Sequence, residues 1–436
     1  MKLTGGKRQT VFLTGINSIV RALGLIMRIW ISRLVGAEVM GIMELAQSVH
    51  MTAIAPLTSG LPAAVTRITA KANQTQKKNA LASGMHLVRK TSFILVPLLW
   101  VSSPVIARCM GDIRVLPSLW FTAPCILILG YSGVYNGYCY GIEKTALPAL
   151  SELIEQAVRF FLTIFLIKQL RFLTPSWQAA VPVSATMIAE IAGLWYVMAC
   201  SKGLSKTASP SGDCIKEVFH LALPTTLTRI IQTLLRSFTA MLIPRRLQVS
   251  GLTPAESTSQ LGMLNGMVVP VLMMPGIFTS ALSMVLIPKI AKAEEKPSEL
   301  RRLILLSMYG ALPLSFLCAL TIYFFSDHLA NIVYHQPELS RLFRLCAWQV
   351  LLHPINHLIG STLSALGLQR RLLSISSIGS VVSLFLTWHA AAIPDLRISG
   401  VIFVQYVSQM LSILLGIGAL FKWKLDRNKA PDDKSV

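Results

Sequence analysis

Two pairs of arginines interrupt long apolar stretches of this chain, and both pairs have the same spacing. Arg21 and Arg28 lie in one apolar run, and Arg229 and Arg236 lie in another. Seven residues span about two helical turns, so each pair shares one face of its helix. A guanidinium group is a planar fork of donors that binds phosphate or pyrophosphate through two parallel hydrogen bonds. The spacing therefore predicts a cationic lining for an anionic ligand.

The composition is that of a polytopic membrane protein. Hydrophobic residues make up 53% of the chain and charged residues 14%, whereas about 25% of a soluble domain is charged. The mean hydropathy is +0.60, which leaves more apolar surface than a soluble core of this length could bury. A charge at mid-membrane costs roughly 2.5–3.5 kcal/mol and normally faces a polar interior. The arginine pairs are therefore expected to face an internal cavity.

The remaining bulk features exclude several function classes. The net charge of +21 is expected at cytoplasmic loops and lipid headgroups, so no nucleic-acid partner is predicted. The seven cysteines are scattered, and His353 and His357 have no third ligand nearby in sequence, so no disulfide, metal or cofactor is expected. No phosphate-binding loop or nucleophile motif is present, and the chain is therefore not expected to be an enzyme.

Hydrophobic runs predict an all-α fold of about twelve transmembrane helices. The predicted spans lie near residues 10–35, 40–68, 86–108, 115–140, 145–168, 178–200, 217–244, 260–288, 303–325, 338–366, 371–393 and 398–421. With the N-terminus inside, the cytoplasmic segments hold 22 Lys and Arg residues and the outer segments hold nine. This asymmetry predicts that both termini are cytoplasmic.

The chain also aligns with itself. A shift of 221 residues lays 41–72 over 262–293, and a nearby shift of 208 superimposes the arginine pairs. Residues identical at the first shift are Gly41, Thr58, Ser59, Leu61, Ala70, Lys71 and Ala72. The repeat predicts two six-helix lobes of equal orientation, related by an axis along the membrane normal, with the ligand site between them. The predicted regions are an N-terminal lobe (1–205), a cytoplasmic linker (206–216), a C-terminal lobe (217–424) and a polar cytoplasmic tail (425–436).

Few acidic residues fall inside the predicted spans, namely Glu44, Glu152, Glu155 and Glu190. The candidates for a polar cavity or for gating are Glu44, Glu152, Glu155 and Arg159, and the last three of these share one helix face. The open alternative is an internally compensated cluster that lets a polar helix pack in the bundle. An ion-coupled exporter needs a buried carboxylate, which here would lie in the N-terminal half. Coupling to Na⁺, H⁺ or the membrane potential is left open.

Helix-breaking residues occur at corresponding places in the two copies of the repeat, namely Pro56, Gly60 and Pro62 in the first and Pro270, Pro275 and Gly276 in the second. Interruptions at matching positions are typical of moving or cavity-lining segments. An ordinary helix kink is the alternative. Arginines near segment ends, such as Arg33 and Arg67, can instead reach the lipid headgroups.

Several segments resemble a known transporter family. RALGLIMRIWISRLVGAEVMGIMELAQ, followed by TSGLPAAVTRITAKA, is similar to the opening of the polysaccharide flippases related to stage V sporulation protein B. PALSELIEQAVRF, LALPTTLTR and FTSALSMVLIPKIAKA resemble the fifth, seventh and eighth segments of that family. The family belongs to the multidrug/oligosaccharidyl-lipid/polysaccharide (MOP) exporter superfamily, together with the lipid II flippases and the MATE drug exporters.

The resemblance implies a V-shaped fold that works by alternating access and a cargo of glycan linked to undecaprenyl pyrophosphate. By motif position, Arg21, Arg28 and Arg67 would line the cationic cavity, and Arg229 would join them through the LPTT-x-x-R match. Arg236 is added by the internal repeat alone. No further hydrophobic pair follows the twelfth run, unlike the lipid II flippases, so peptidoglycan precursor is open as the specific cargo.

The sequence thus favours a flippase of a bacterial cytoplasmic membrane, acting in cell-wall, spore or surface-polysaccharide synthesis. Its expected partners are the lipid-linked glycan, the bilayer and, as an open possibility, enzymes of cell-wall or polysaccharide synthesis. Two other functions remain open. A cation-coupled drug exporter would share the fold, although its substrates are usually cationic. A non-transporting membrane scaffold would tolerate substitution of the cavity arginines.

Overall fold

In the computed structural model the described residues are 5–201, 209–276, 279, 282, 289–290, 293 and 297–429. These residues form helices and connecting turns, with no β-strand among them. The α-helices are α1 (Gly5–Thr58), α2 (Gly60–Lys71), α3 (Gln74–Met110), α4 (Leu116–Gly141), α5 (Ala146–Gln169), α6 (Pro175–Cys200), α7 (Gly212–Val249), α8 (Pro254–Leu261), α9 (Val269–Leu272), α10 (Pro297–Phe324), α11 (Ser326–His328), α12 (Leu339–Cys346), α13 (Gln349–Ala365), α14 (Gln369–Ala390) and α15 (Arg397–Lys429).

Two π-helices and one short 3₁₀ helix complete the described structure. The π-helices span Gly262–Val268 and Leu329–Val333, and the 3₁₀ helix spans Ile113–Val115. A π-helix carries i→i+5 hydrogen bonds and is uncommon, and it is found frequently at functional sites. The first π-helix directly follows α8 and precedes α9, in the segment that the repeat aligns with the second half of α1.

The first two predicted spans form one long helical element with a single break. Gly36 has φ 78° and ψ 179°, a backbone conformation that is available essentially to glycine alone. The break divides α1 into a first half, residues 5–35, and a second half, residues 37–58. It replaces a loop between the two spans, so the two halves are joined by a sharp change of direction at one residue.

Among the described residues, six helices are long and apolar enough to cross a membrane by length and composition alone. They correspond to α3, α4 with the preceding 3₁₀ helix, α6, α10, α14 and α15. Helices α1, α5 and α7 exceed the same length but carry the charged residues singled out above. The exposed face of α3, with Phe93 82% and Val101 79% exposed, is apolar and suited to lipid contact. The expected all-α polytopic fold is confirmed.

The tenth predicted span differs from the structure. Residues 338–366 form two helices, α12 and α13, of eight and 17 residues, which are separated at Ala347 and Trp348. The last part of the eighth predicted span lies outside the described residues, because most positions between 277 and 288 are not described.

The chain divides into two compact units. The first contains residues 1–248 and 252–267, and the second contains residues 249–251 and 268–436. Helices α7 and α8 and most of the first π-helix therefore group with α1 to α6. The two predicted six-helix lobes remain a prediction. In the second unit, Ile290, Ala293, Leu300 and Leu366 form a buried apolar cluster.

Candidate functional site

The first unit contains all five arginines that the sequence predicted to line a cavity. Arg21 and Arg28 lie on the first half of α1, Arg67 on α2, and Arg229 and Arg236 on α7. All except Arg28 are exposed in the protein without its lipid environment. The structure therefore brings the predicted cationic residues into one compact unit, and it distinguishes Arg28 from the others by its burial.

Arg28 is held by three acceptors. Its guanidinium forms an ion pair with the Glu44 carboxylate on the second half of α1. Its Nε donates to the carbonyl oxygen of Gly266 at 2.8 Å, and its Nη2 approaches that of Asn265 at 3.3 Å. Both carbonyls belong to the first π-helix. Arg28 therefore links the two halves of α1 to the π-helix, and Glu44, which was a predicted gating residue, is its acidic partner.

Helix α7 packs against the second half of α1 and the start of α2. Ser237 Oγ donates to the Ser48 carbonyl oxygen at 2.5 Å and lies 2.7 Å from Thr52 Oγ1. At the other contact, a Cβ atom on Gly60 would lie 2.9 Å from the Ala222 carbonyl carbon. Ser237, late in α7, contacts Ser48 of α1, whereas Ala222, early in α7, contacts Gly60 at the start of α2. Helix α7 therefore runs antiparallel to the second half of α1.

The arginines of α7 lie between these two contacts along the helix. Within the described part of the chain, neither Arg229 nor Arg236 has a side-chain hydrogen bond or ion pair. A guanidinium at membrane depth without a protein acceptor is the chemical state expected of a group that binds an external anion.

Helix interruptions lie close to proline and glycine residues in both aligned segments. Helix α1 ends at Thr58 and α2 begins at Gly60, so the interruption lies at Ser59, between Pro56 and Pro62. In the second segment, α9 is only four residues long and contains Pro270, and a turn follows at 273–275. Gly276 donates its backbone N–H to the Met273 carbonyl oxygen at 3.0 Å in that turn.

A second polar cluster is buried between α5 and α6. Arg159 Nη2 donates to Glu190 Oε1 at 3.0 Å, and Arg159 Nη1 lies 3.4 Å from Gln156 Oε1. Ser151 Oγ donates to Glu155 Oε1 at 2.7 Å. Both carboxylates are more than nine-tenths buried. The cluster therefore holds two buried carboxylates and one guanidinium, which is the arrangement that an internally compensated polar helix would need.

Donor atoms at the same cluster lack partners. Gln156 Nε2 and Arg159 Nε are buried without a hydrogen-bond acceptor in the described structure, and His50 Nδ1 on α1 is also unpaired. Helix α6 approaches closely here, since a Cβ atom on Gly193 would lie 2.6 Å from Glu155 Cδ. Glu152 is exposed and takes no part in the cluster. The sequence predicted Glu155 and Arg159 together, but not that Glu190 is the partner of Arg159.

A third network joins α1, the 3₁₀ helix that precedes α4, and α8, and sequence reasoning did not single it out. Arg114 donates to Asp112 at 2.9 and 2.7 Å and pairs with Glu38 at the start of the second half of α1. Thr258 Oγ1 of α8 donates at 2.8 Å to Asp112 Oδ2, the oxygen that also accepts from Arg114 Nη2. Asp112 is 4% exposed. The signal in the sequence was an Asp-x-Arg pair between two apolar runs, which is common in loops.

Comparisons with known proteins agree on family and fold. A family model described as "Polysaccharide biosynthesis protein" matches residues 7–294. "Stage V sporulation protein B" of Bacillus subtilis (strain 168) is 26% identical over 95% of this chain and 83% of its own length. The solved structure titled "Lipid II flippase MurJ, inward closed conformation" has a TM-score of 0.76 at 14% identity, covering 94% of this chain and 87% of that one.

A multidrug exporter has a similar fold. An inward-facing MATE family transporter of the MOP superfamily gives a TM-score of 0.73 at 17% identity, over 95% of this chain and all of that one. At these identities the solved structures establish the fold. The resemblance predicted from the sequence is confirmed, and the protein is a multi-pass membrane protein with the fold of that superfamily.

Proposed function

Because the chain belongs to the polysaccharide biosynthesis protein family, we propose that it is a flippase that moves a glycan linked to undecaprenyl pyrophosphate across a bacterial cytoplasmic membrane. The pyrophosphate binds to the arginines of α1 and α7, and the lipid tail stays in the bilayer. Both termini are cytoplasmic, and transport proceeds by alternating access without chemical change of the cargo. The protein is in this account a transporter and not an enzyme.

The observation that carries this proposal is the state of Arg229 and Arg236. Two guanidinium groups for which the described residues provide no acceptor lie on a long helix that packs against the helix carrying Arg21 and Arg28. Such groups are too costly to keep at membrane depth unless an anion or water binds them. Pyrophosphate offers several oxygens in the geometry that guanidinium groups bind well.

The protein relatives support the same substrate class. The stage V sporulation protein B and the lipid II flippase are named for spore formation and for a lipid-linked wall precursor, respectively. A membrane potential that is negative inside would favour return of an empty cationic site to the cytoplasmic side, by about 2.3 kcal/mol per charge per 100 mV. Coupling to this potential is part of the proposal.

The test is complementation in a host depleted of its lipid II flippase. Wild type is compared with Arg229→Ala, Arg236→Ala and the double variant at matched expression. Rescue by wild type and loss of rescue in the double variant would support a wall precursor as an accepted cargo. If wild type does not rescue, the assay is repeated with hosts that lack flippases for other undecaprenyl-linked glycans. Failure in every host would overturn the proposal.

A cation-coupled drug exporter is the second candidate, favoured by the buried carboxylates Glu155 and Glu190 and by the fold of the MATE exporters. The arginines of α1 and α7 disfavour it, because like charges in the cavity would repel a cationic drug. Dye efflux from cells separates the two functions. Efflux that depends on Glu155 and Glu190 but not on Arg229 and Arg236 would favour the exporter.

A further inference from the structure

Arg28 occupies a position that none of the other cavity arginines shares. Its guanidinium, on the first half of α1, contacts both the Glu44 carboxylate and two carbonyl groups of the π-helix 262–268. These acceptors come from two different elements. Removing the guanidinium would therefore remove the hydrogen bonds that join the first half of α1 to Asn265 and Gly266 of the π-helix.

The contact is also related to the internal repeat. The shift of 221 residues aligns Glu44 with Asn265, and Arg28 contacts both residues. In the first copy it meets a side-chain carboxylate, and in the second it meets a main-chain carbonyl. One carboxylate therefore supplies the only formal negative charge among these three acceptors. The strength of the contact depends on Glu44.

The guanidinium is accessible to a competing anion. The Arg28 side chain is 33% exposed and that of Glu44 is 18% exposed. A partly exposed ion pair is weak, because water screens the charges and the side chains lose conformational freedom on pairing. A pyrophosphate carries more charge and more acceptor oxygens than a carboxylate, and it can bind two donors of one guanidinium. It is therefore able to displace Glu44.

The π-helix packs closely against the second half of α1, so a small displacement of the π-helix would also displace α1. A Cβ atom on Gly266 would lie 3.2 Å from Met40 Cβ and 3.7 Å from Glu44 Cγ, so the backbone lies directly against the second half of α1. A π-helix carries i→i+5 hydrogen bonds, is rare and occurs frequently at functional sites. The segment that Arg28 holds is therefore an uncommon form of helix that packs directly against the second half of α1.

We propose that Arg28 is a latch that the anionic headgroup opens: Glu44 and the headgroup compete for the same guanidinium, and headgroup binding releases the Asn265 and Gly266 carbonyls. The proposal rests on the proposed function and assigns Arg28 a role different from that of Arg229 and Arg236. Arg229 and Arg236 bind the anion, whereas Arg28 couples binding of the anion to release of the π-helix. A ligand shifts a conformational equilibrium only through its difference in affinity for the two states, and loss of the Glu44 pair provides that difference.

The test is binding of undecaprenyl pyrophosphate to the full-length protein in lipid nanodiscs. Glu44→Gln removes the competing charge and keeps the side-chain shape, so binding becomes about fivefold tighter, which corresponds to the upper range for a partly exposed ion pair. Glu38→Gln is the matched control, because it removes the same charge from the same helix half but from a pair with Arg114. It leaves the affinity within about twofold of wild type.

A double-variant cycle separates competition from general electrostatics. In an Arg28→Gln background no cation remains for the carboxylate and the headgroup to compete for, so Glu44→Gln adds little further tightening. Equal tightening in the two backgrounds, or equal tightening by Glu38→Gln, would overturn the latch. So would weaker binding by Glu44→Gln in the presence of Arg28.

Amide hydrogen exchange, measured without ligand, tests the latch independently of the proposed transport function. Without ligand, Arg28→Lys and Glu44→Gln should each increase exchange of the amides of residues 262–268 by severalfold, and Glu38→Gln should not. If wild type does not bind undecaprenyl pyrophosphate, the proposed substrate class is wrong and the headgroup is not what opens the latch. Unchanged exchange in both variants would show that Arg28 does not hold the π-helix.

Discussion

Gly41 and Gly262, which the internal repeat aligns with each other, lie in direct contact. A Cβ atom built on Gly262 would lie 2.9 Å from Gly41 Cα and would clash with the Ala37 carbonyl oxygen. One built on Gly41 would lie 2.7 Å from the Thr258 carbonyl carbon. The shift of 221 residues also aligns Ala37 with Thr258. The contacts are therefore reciprocal, as expected of equivalent residues close to a twofold axis.

Substitution of Gly41 should destabilise the protein because its neighbour is backbone and cannot move aside. We expect Gly41→Ala to cost about 1–3 kcal/mol, the usual range for overpacking. The measurement is the thermal unfolding of purified protein in detergent. Gly15→Ala is the control on the same helix, because nothing lies within 4 Å of its added methyl group, and it should be neutral or slightly stabilising. Equal effects of the two changes would contradict the close crossing.

The pair of Arg159 and Glu190 should contribute to stability. Glu190→Gln leaves a partly buried guanidinium without its carboxylate, and breaking a buried pair costs roughly 3–5 kcal/mol. The Arg159 side chain is 24% exposed, so we expect a smaller cost of about 2 kcal/mol. Thermal unfolding measures it. Glu152→Gln, an exposed change on the same helix as Arg159, should stay within about 0.5 kcal/mol of wild type. A neutral Glu190→Gln would mean that Arg159 has another acceptor.

The arginines of α7 should matter for binding and not for folding. Arg229→Gln and Arg236→Gln should each weaken binding of undecaprenyl pyrophosphate by about tenfold to a hundredfold, as loss of one charge-assisted hydrogen bond predicts. Thermal stability should remain equal to or above that of wild type, since neither side chain has a described protein partner to lose. Arg245→Gln is the control on the same helix, because its side chain donates to the Arg108 carbonyl oxygen at 2.9 Å. It should leave binding unchanged.

The sequence predicted the types of residue in the site better than their contacts. The arginine pairs and Glu44 are recognisable because charges are rare in apolar runs. The pairing of Arg28 with Glu44 is not recognisable from the sequence. The two residues are 16 positions apart, and the change of direction at Gly36 decides where the second half of α1 lies. The carbonyls that hold Arg28 depend on a π-helix, for which the residues from Gly262 to Val268 give no clear local signal.

The Asp112 network illustrates the same limit. An Asp-x-Arg pair at the end of an apolar run is most often a simple helix cap or loop contact. Here the carboxylate also accepts from Thr258, which is 146 residues away in sequence, and Arg114 reaches Glu38. Such long-range partners follow from how α1, the 3₁₀ helix that precedes α4, and α8 pack, and no local pattern encodes them.

Transport itself is tested most directly in proteoliposomes that contain the purified protein and a fluorescent undecaprenyl-pyrophosphate-linked glycan in one leaflet. A membrane-impermeant quencher added outside reports how fast the labelled lipid changes leaflet. We predict that wild type accelerates this movement well above protein-free liposomes, and that the Arg229→Gln/Arg236→Gln double variant does not. Movement at the protein-free rate with wild type, or equal acceleration by the double variant, would contradict the account.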